Sequence, residues 1–195
     1  MKILAYTDHH GSPDELKEVA EKVKKADIII CAGDFTIFEH EVEFIMHQMN
    51  NLSKKTLLIH GNHEAEETTN LLSKHFKNIK FLHKKAYETN GYLFLGYGGG
   101  GFATIEPEFE EQSKEFKKLM KRKKTILITH GPPYGTKLDI MGGGHVGNKS
   151  FTKFIKEAQP DLFICGHLHE RFHTKDKIGK TILINPGPDG EIIEI

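Results

Sequence analysis

Asp8 and His10, Asp34, Asn62 and His63, His130, and His167 and His169 can all bind metals or move protons, and they fall in five short clusters along the chain. Asp8, Asp34 and Asn62 offer oxygen, His10, His130, His167 and His169 offer nitrogen, and His63 adds a fifth imidazole. Burying so many polar groups together without partners is costly, whereas coordinating metal ions satisfies them. Seven ligands exceed what one tetrahedral ion takes. They fall short of two octahedral ions unless one ligand bridges and water fills the remaining positions, so a two-metal site follows. No cysteine lies near the set, which argues against a structural zinc site and for ions with open positions, manganese first, with iron, nickel or zinc as alternatives. Two divalent ions bring four positive charges, of which Asp8, Asp34 and a bridging hydroxide remove three. The remainder suits an anionic phosphate ester.

These clusters need a scaffold that delivers them to one place. Short apolar runs occur at Ile3 to Tyr6, Ile28 to Ala32, Thr56 to Ile59, Tyr92 to Leu95, Thr125 to Thr129, Leu162 to Cys165, Thr181 to Ile184 and Ile192 to Ile195. Helix-period segments alternate with them, which is the signature of an α/β or α+β sandwich. Ser12 caps the first helix, Pro13 takes its first position, and Glu15 completes a capping box ahead of Leu16, Val19, Ala20 and Val23. Further helices are expected over Glu39 to Met49, Glu64 to His75, Pro107 to Lys121 and Lys149 to Ala158. Asp189-Gly190 reads as a hairpin turn between the last two strands. With no linker, repeat or low-complexity tract, residues 1–195 are expected to form one domain. Every chemical cluster lies just past the carboxyl end of an expected strand, where open α/β sheets bind their ligands.

The ordered set Asp8-His9-His10, Gly33-Asp34, Gly61-Asn62-His63-Glu64, Thr129-His130-Gly131 and Gly166-His167-Leu168-His169 resembles the five motifs of the calcineurin-like metallophosphoesterases. The resemblance implies that Asp8, His10, Asp34 and His169 hold one metal and that Asp34, Asn62, His130 and His167 hold the second. His63 would sit over the pair and protonate the leaving oxygen or stabilise developing charge. It further implies a four-layer α/β/β/α sandwich of two mixed sheets flanked by helices. The segments His130-Gly131-Pro132-Pro133 and Gly144-His145-Val146-Gly147 resemble the small single-domain branches of that family. Glu64 departs from the pattern, standing where many members carry Asp. The reaction expected is hydrolysis of a phosphate ester, a diester before a monoester, by in-line attack of a metal-bridging hydroxide.

Composition narrows the partners. The 195 residues carry 27 basic and 27 acidic side chains and 13 histidines, with 37% hydrophobic and 28% charged residues. A balanced charge gives no general attraction to nucleic acid or anionic lipid, so a nuclease is the weaker alternative. A non-catalytic metal-binding scaffold with protein partners is the other alternative, and the intact His63 argues against it. No transmembrane helix or signal peptide is expected, and Cys31 and Cys165 read as buried hydrophobes in a reducing cytoplasm. A small phosphate-ester substrate is the expected partner, and self-association into a homo-oligomer stays open. Gly96 to Gly101 matches a dinucleotide-binding pattern without the following helix, so tight packing beside the metal site explains it better. Gly143 to Ser150 lacks the glycine that a phosphate-binding loop needs before its lysine, although the helix from Lys149 could present its N-terminus to a phosphate. His9 and His60 are either donors that orient the ligands or packed residues, whereas His40, His47, His75 and His83 are expected at the surface. His173 has no evident partner, and His145 is balanced between substrate contact and a solvated loop.

Overall fold

Ser12 begins the first helix as its sequence requires, with its hydroxyl accepting the Glu15 amide at 3.4 Å and Pro13 leading the helix. The computed structural model describes all 195 residues. In chain order the elements are β1 (Lys2–Tyr6), α1 (Pro13–Lys22), β2 (Ile28–Cys31), α2 (Val42–Asn50), β3 (Thr56–Leu58), α3 (Glu66–Ser73), β4 (Ile79–Phe81), β5 (Lys85–Thr89) and β6 (Tyr92–Tyr97). They continue with α4 (Pro107–Leu119), β7 (Lys124–Thr129), β8 (Ile140–Met141), β9 (Gly144–His145), α5 (Lys149–Ala158), β10 (Leu162–Ile164), β11 (Lys175–Ile178), β12 (Thr181–Ile184) and β13 (Glu191–Glu194). No helix is long and apolar enough to cross a membrane.

Two mixed sheets carry the fold. The first has the order β13-β1-β2-β3-β4, with β13 antiparallel to β1 and the rest parallel. The second has the order β11-β12-β10-β7-β6-β5, antiparallel only at its two edges. Alternation along the strands decides what each face buries. Ile3, Ile28, Ile30 and Leu57 of the first sheet meet Phe94, Ile126, Ile128 and Leu162 of the second in the central core. Leu4, Tyr6 and Ile29 turn the other way and are covered by Leu16 and Val19 of α1 and Ile45, Met46 and Met49 of α2. Leu95, Leu127 and Phe163 are covered likewise by Phe109 and Phe116 of α4 and by Phe151, Phe154 and Ile155 of α5. The result is the four-layer α/β/β/α sandwich, and it brings the carboxyl ends of β1, β2, β3, β7 and β10 to one edge.

Several expectations change. Asp189-Gly190 is not a hairpin turn, because β12 and β13 belong to different sheets and β13 pairs with β1 instead. The Lys22 ammonium holds this crossing, donating to the Asp189 carboxylate at 2.8 Å and to the Gly190 carbonyl at 3.0 Å. The hairpins proper are β5-β6, β8-β9 and β11-β12. Helix α2 starts at Val42 and not Glu39, since Phe38, Glu39 and Glu41 have left-handed backbone. Helix α3 starts at Glu66 because the Glu64 side chain is committed to the loops before it.

Candidate metal centre

Asp8 and His10 follow β1, Asp34 follows β2, Asn62 and His63 follow β3, His130 follows β7, and His167 and His169 follow β10. Four of them, Asp8, His10, Asp34 and His167, have positive φ between 47° and 71°. Asp and His tolerate that region better than most residues, yet it still costs energy, and such strain collects at functional sites. The loops approach so closely that only glycine fits at two points. A β-carbon on Gly61 would lie 2.0 Å from Asp34 Oδ1, and one on Gly166 would lie 2.0 Å from Thr7 Oγ1 and 2.2 Å from Asp8 Oδ2.

Glu64 ties the loops together. Its buried carboxylate accepts the amides of Asp34, Thr36 and Gly61 at 3.1, 2.8 and 2.9 Å and the Thr36 hydroxyl at 2.7 Å. Burial and the neighbouring Asp34 charge push its pKa up to about 7 against those four donors. Asp8 Oδ2 accepts the Thr7 hydroxyl at 2.6 Å and the His167 amide at 2.9 Å, which couples the β1 loop to the β10 loop.

The side chains gather into three groups, Asp8 with His10 and His169, His10 with Asp34 and His63, and Asp34 with His130 and His167. The chemistry of their facing atoms calls for a cation. His130 Nδ1 donates to the Ala32 carbonyl at 2.9 Å, so its Nε2 is the nitrogen that faces Asn62 Oδ1 at 3.0 Å and Asp34 Oδ2 at 3.3 Å. His10 Nδ1 likewise donates to the Thr36 carbonyl at 3.0 Å, leaving its Nε2 3.2 Å from His169 Nε2. Asp8 Oδ1 and His167 Nε2 are buried without any hydrogen-bond partner. Converging nitrogen and oxygen ligand atoms are what a divalent ion satisfies, and backbone carbonyls that fix the histidine tautomers are the usual support for metal-ligating imidazoles. All seven residues expected as ligands therefore fit the group, with Asp34 between the other two sets.

Without metal, protons do part of this work. Burial opposes protonation of His130, but Asp34, Asp8 and the Ala32 carbonyl overcome it and raise its pKa to about 9. Burial opposes ionisation of Asp34, but His130 and His63 hold its carboxyl well below the usual range. The Asp8 carboxylate raises His169, whereas burial and His130 lower His167 to about 4. His63 donates its amide to Asp34 Oδ1 at 2.9 Å, and its ring stacks on Phe38 with centroids 4.3 Å apart while Nε2 lies 3.9 Å from Asp34 Oδ2.

Other residues fall outside the centre. His145 is exposed on the β8-β9 hairpin, with Nδ1 2.7 Å from buried Asp139, and belongs to no metal group. His83 is not a surface residue: it is buried, and its Nδ1 accepts the Gly98 amide at 2.7 Å beneath the glycine-rich loop. His60 packs under Gly98 and Gly99, and Gly101 lies against Asn62 and His167, so that loop is indeed a close packing element beside the centre. His9 is packed, with neither ring nitrogen hydrogen bonded. His173 has a partner after all, Asp189, at 3.0 Å. Three phenylalanines went unforeseen. Phe38, Phe102 and Phe172 lean on His63, His167 and His169, and no periodicity in their polar loops marks them.

Such a donor set, at the joined edge of two sheets, is one that could hold metal ions. Residues 1–171 match the family model of the calcineurin-like phosphoesterases, and the chain belongs to that family. It is 33% identical to an uncharacterized protein of Methanocaldococcus jannaschii, MJ1162, over 96% of this chain and 88% of that one. Among solved structures it resembles TT1561 of Thermus thermophilus, with a TM-score of 0.78 and 18% identity over 95% of this chain and 88% of the other. A dimetal phosphatase from Danio rerio superimposes with a TM-score of 0.69 and 9% identity over 94% and 86% of the two chains.

Proposed function

We propose that the chain hydrolyses phosphate esters, diesters in preference to monoesters, with two divalent ions, manganese first. Asp8, His10, Asp34 and His169 would hold one ion and Asp34, Asn62, His130 and His167 the other. The observation that carries this reading is the convergence of potential ligand atoms, with Asn62 Oδ1 and Asp34 Oδ2 both within 3.3 Å of His130 Nε2. When bound, the two ions lower the pKa of water and offset charge at the phosphoryl oxygens. Asp34 orients the His63 backbone, and Phe38 fixes the plane of its ring. His63 Nε2, turned toward Asp34, carries the proton delivered to the leaving oxygen, since general acid catalysis needs a donor within hydrogen-bond reach. Asn62 offers an amide oxygen without adding negative charge, so attraction for the anion survives. No lysine or arginine makes an ion pair with these residues, which favours a singly charged diester over a monoester dianion. Two free, buried cysteines support the cytoplasmic setting.

A matrix of bis-p-nitrophenyl phosphate, p-nitrophenyl phosphate and 2′,3′- and 3′,5′-cyclic nucleotides against manganese, nickel, zinc, iron and magnesium tests the reading. Diester turnover with manganese above monoester turnover is expected. Absence of hydrolysis in every cell of the matrix would contradict it.

A further inference from the structure

Two phenyl rings stand at the metal centre with most of their surface in solvent. Phe38 is 76% exposed, and its ring lies nearly parallel to the His63 imidazole, 22° apart at 4.3 Å. Phe102 is 58% exposed and meets His167 edge-on at 4.5 Å. Folding gains little by placing a phenyl ring in water, so neither ring is explained by the core. Phe38 also has φ of 48°, a left-handed conformation that penalises a residue with a β-carbon. The strain is held by the network that ties the metal loops. Thr36 donates its amide and hydroxyl to Glu64, its Oγ1 accepts the Glu39 amide at 3.1 Å, and Glu39 Oε1 accepts the Ala65 amide at 2.9 Å. Phe38 thus sits between two anchored residues, its ring directed at the one imidazole proposed to face the leaving group.

We infer that Phe38 is a specificity-determining residue, one wall of a subsite for a planar aromatic leaving group such as an aryl alcohol or a nucleobase-bearing one. The inference rests on the phosphoesterase reading above. A group whose oxygen takes a proton from His63 must pass beside the ring stacked on His63. Phe102, on the His167 side of Asp34, offers a second aromatic surface at the other metal group. The centre supplies aromatic faces where a site for a second phosphate would supply cations, and ring-on-ring contact then selects the substrate.

The test uses non-hydrolysable anions that differ only by a ring. Phenylphosphonate and methylphosphonate are titrated calorimetrically into the manganese-loaded chain, with metal content measured in parallel. Phenylphosphonate should bind roughly three- to tenfold more tightly than methylphosphonate, the range expected for one aromatic pair. That ratio should fall to about one in Phe38→Ala and persist in Phe38→Tyr, with metal content unchanged in both. A ratio that Phe38→Ala leaves intact overturns the proposal. So does a variant that lowers the sedimenting mass without changing the ratio, because Phe38 would then face a second copy of the chain. Failure of both phosphonates to bind, together with absence of ester hydrolysis, removes the phosphoesterase reading itself.

Discussion

The pairing of Asp34 with His130 should make the metal-free protein lose stability as pH rises, and Asp34→Asn should lessen that loss. His130 has no exposed surface, and burial alone would lower an imidazole's pKa. Asp34, with Asp8 and the Ala32 carbonyl, reverses this and lifts His130 from its ordinary 6.5 to about 9. The folded state therefore binds this proton more tightly than the unfolded chain. Its stabilisation is complete below about pH 6.5 and disappears as pH rises through about 9. A rise of that size corresponds to roughly 2–3 kcal/mol over this interval, against a total stability on the order of 5–15 kcal/mol. The same attraction lowers Asp34, and it counts once. Asparagine preserves the shape and an acceptor for the His63 amide while removing the charge. Urea unfolding of chelator-treated protein at pH 6.5 and 9, followed by circular dichroism, reads the difference. Asp8 raises His169 in both proteins, and Asp34 adds to that and to the rise of Glu64, so the excess loss in the parent chain reports on the Asp34 charge acting on its neighbours, His130 foremost. The parent should lose more stability than Asp34→Asn between the two pH values, by up to roughly 2–3 kcal/mol. Equal losses would refute the reasoning.

Three further outcomes follow from the geometry. His63→Ala should lower kcat on the order of 10²–10⁴-fold, with metal content by plasma mass spectrometry unchanged, if the role proposed for His63 is that of proton donor and not ligand. Loss of an ion would instead make it one, as its position beside His10 and Asp34 would permit. Metal must displace the proton that His130 holds below about pH 9, so manganese affinity should weaken about tenfold as pH falls from 8 to 7. Calorimetry in buffers of different ionisation enthalpy should show the released proton, and binding independent of pH would contradict this. Gly61→Ala puts a β-carbon 2.0 Å from Asp34 Oδ1, so it should abolish tight metal binding and cost roughly 1–3 kcal/mol in urea unfolding.

The elements that the chain states most plainly are those whose apolar pattern is local. Each of the eight expected strands is present, and α5 spans the residues its pattern marks, Lys149–Ala158, with Asn148 capping it through the Ser150 and Phe151 amides. β5 and β11, with sequences KAYET and KDKI, carry no apolar strand pattern because they are half-exposed edges whose polar side chains blunt self-pairing. The short β4 has only a brief alternation, buried Ile79 and Phe81 around exposed Lys80, which does not stand out from its surroundings. The crossing at Asp189-Gly190 depends on Lys22, which no local turn signal contains. At the centre, the residues able to ligate a metal are legible from their types and their positions after strands. The tie through Glu64 and the aromatic rim depend on contacts between loops far apart in the chain. His83 shows the limit in the other direction, since a polar residue beside lysines became buried by accepting a glycine amide.

The most direct test of the central claim is native mass spectrometry of the chelator-stripped chain titrated with manganese. The account predicts two ions per chain in the parent and in His63→Ala, and no more than one in Asp34→Asn, because Asp34 stands between both ligand sets. One ion or none in the parent, or two retained in Asp34→Asn, would contradict it.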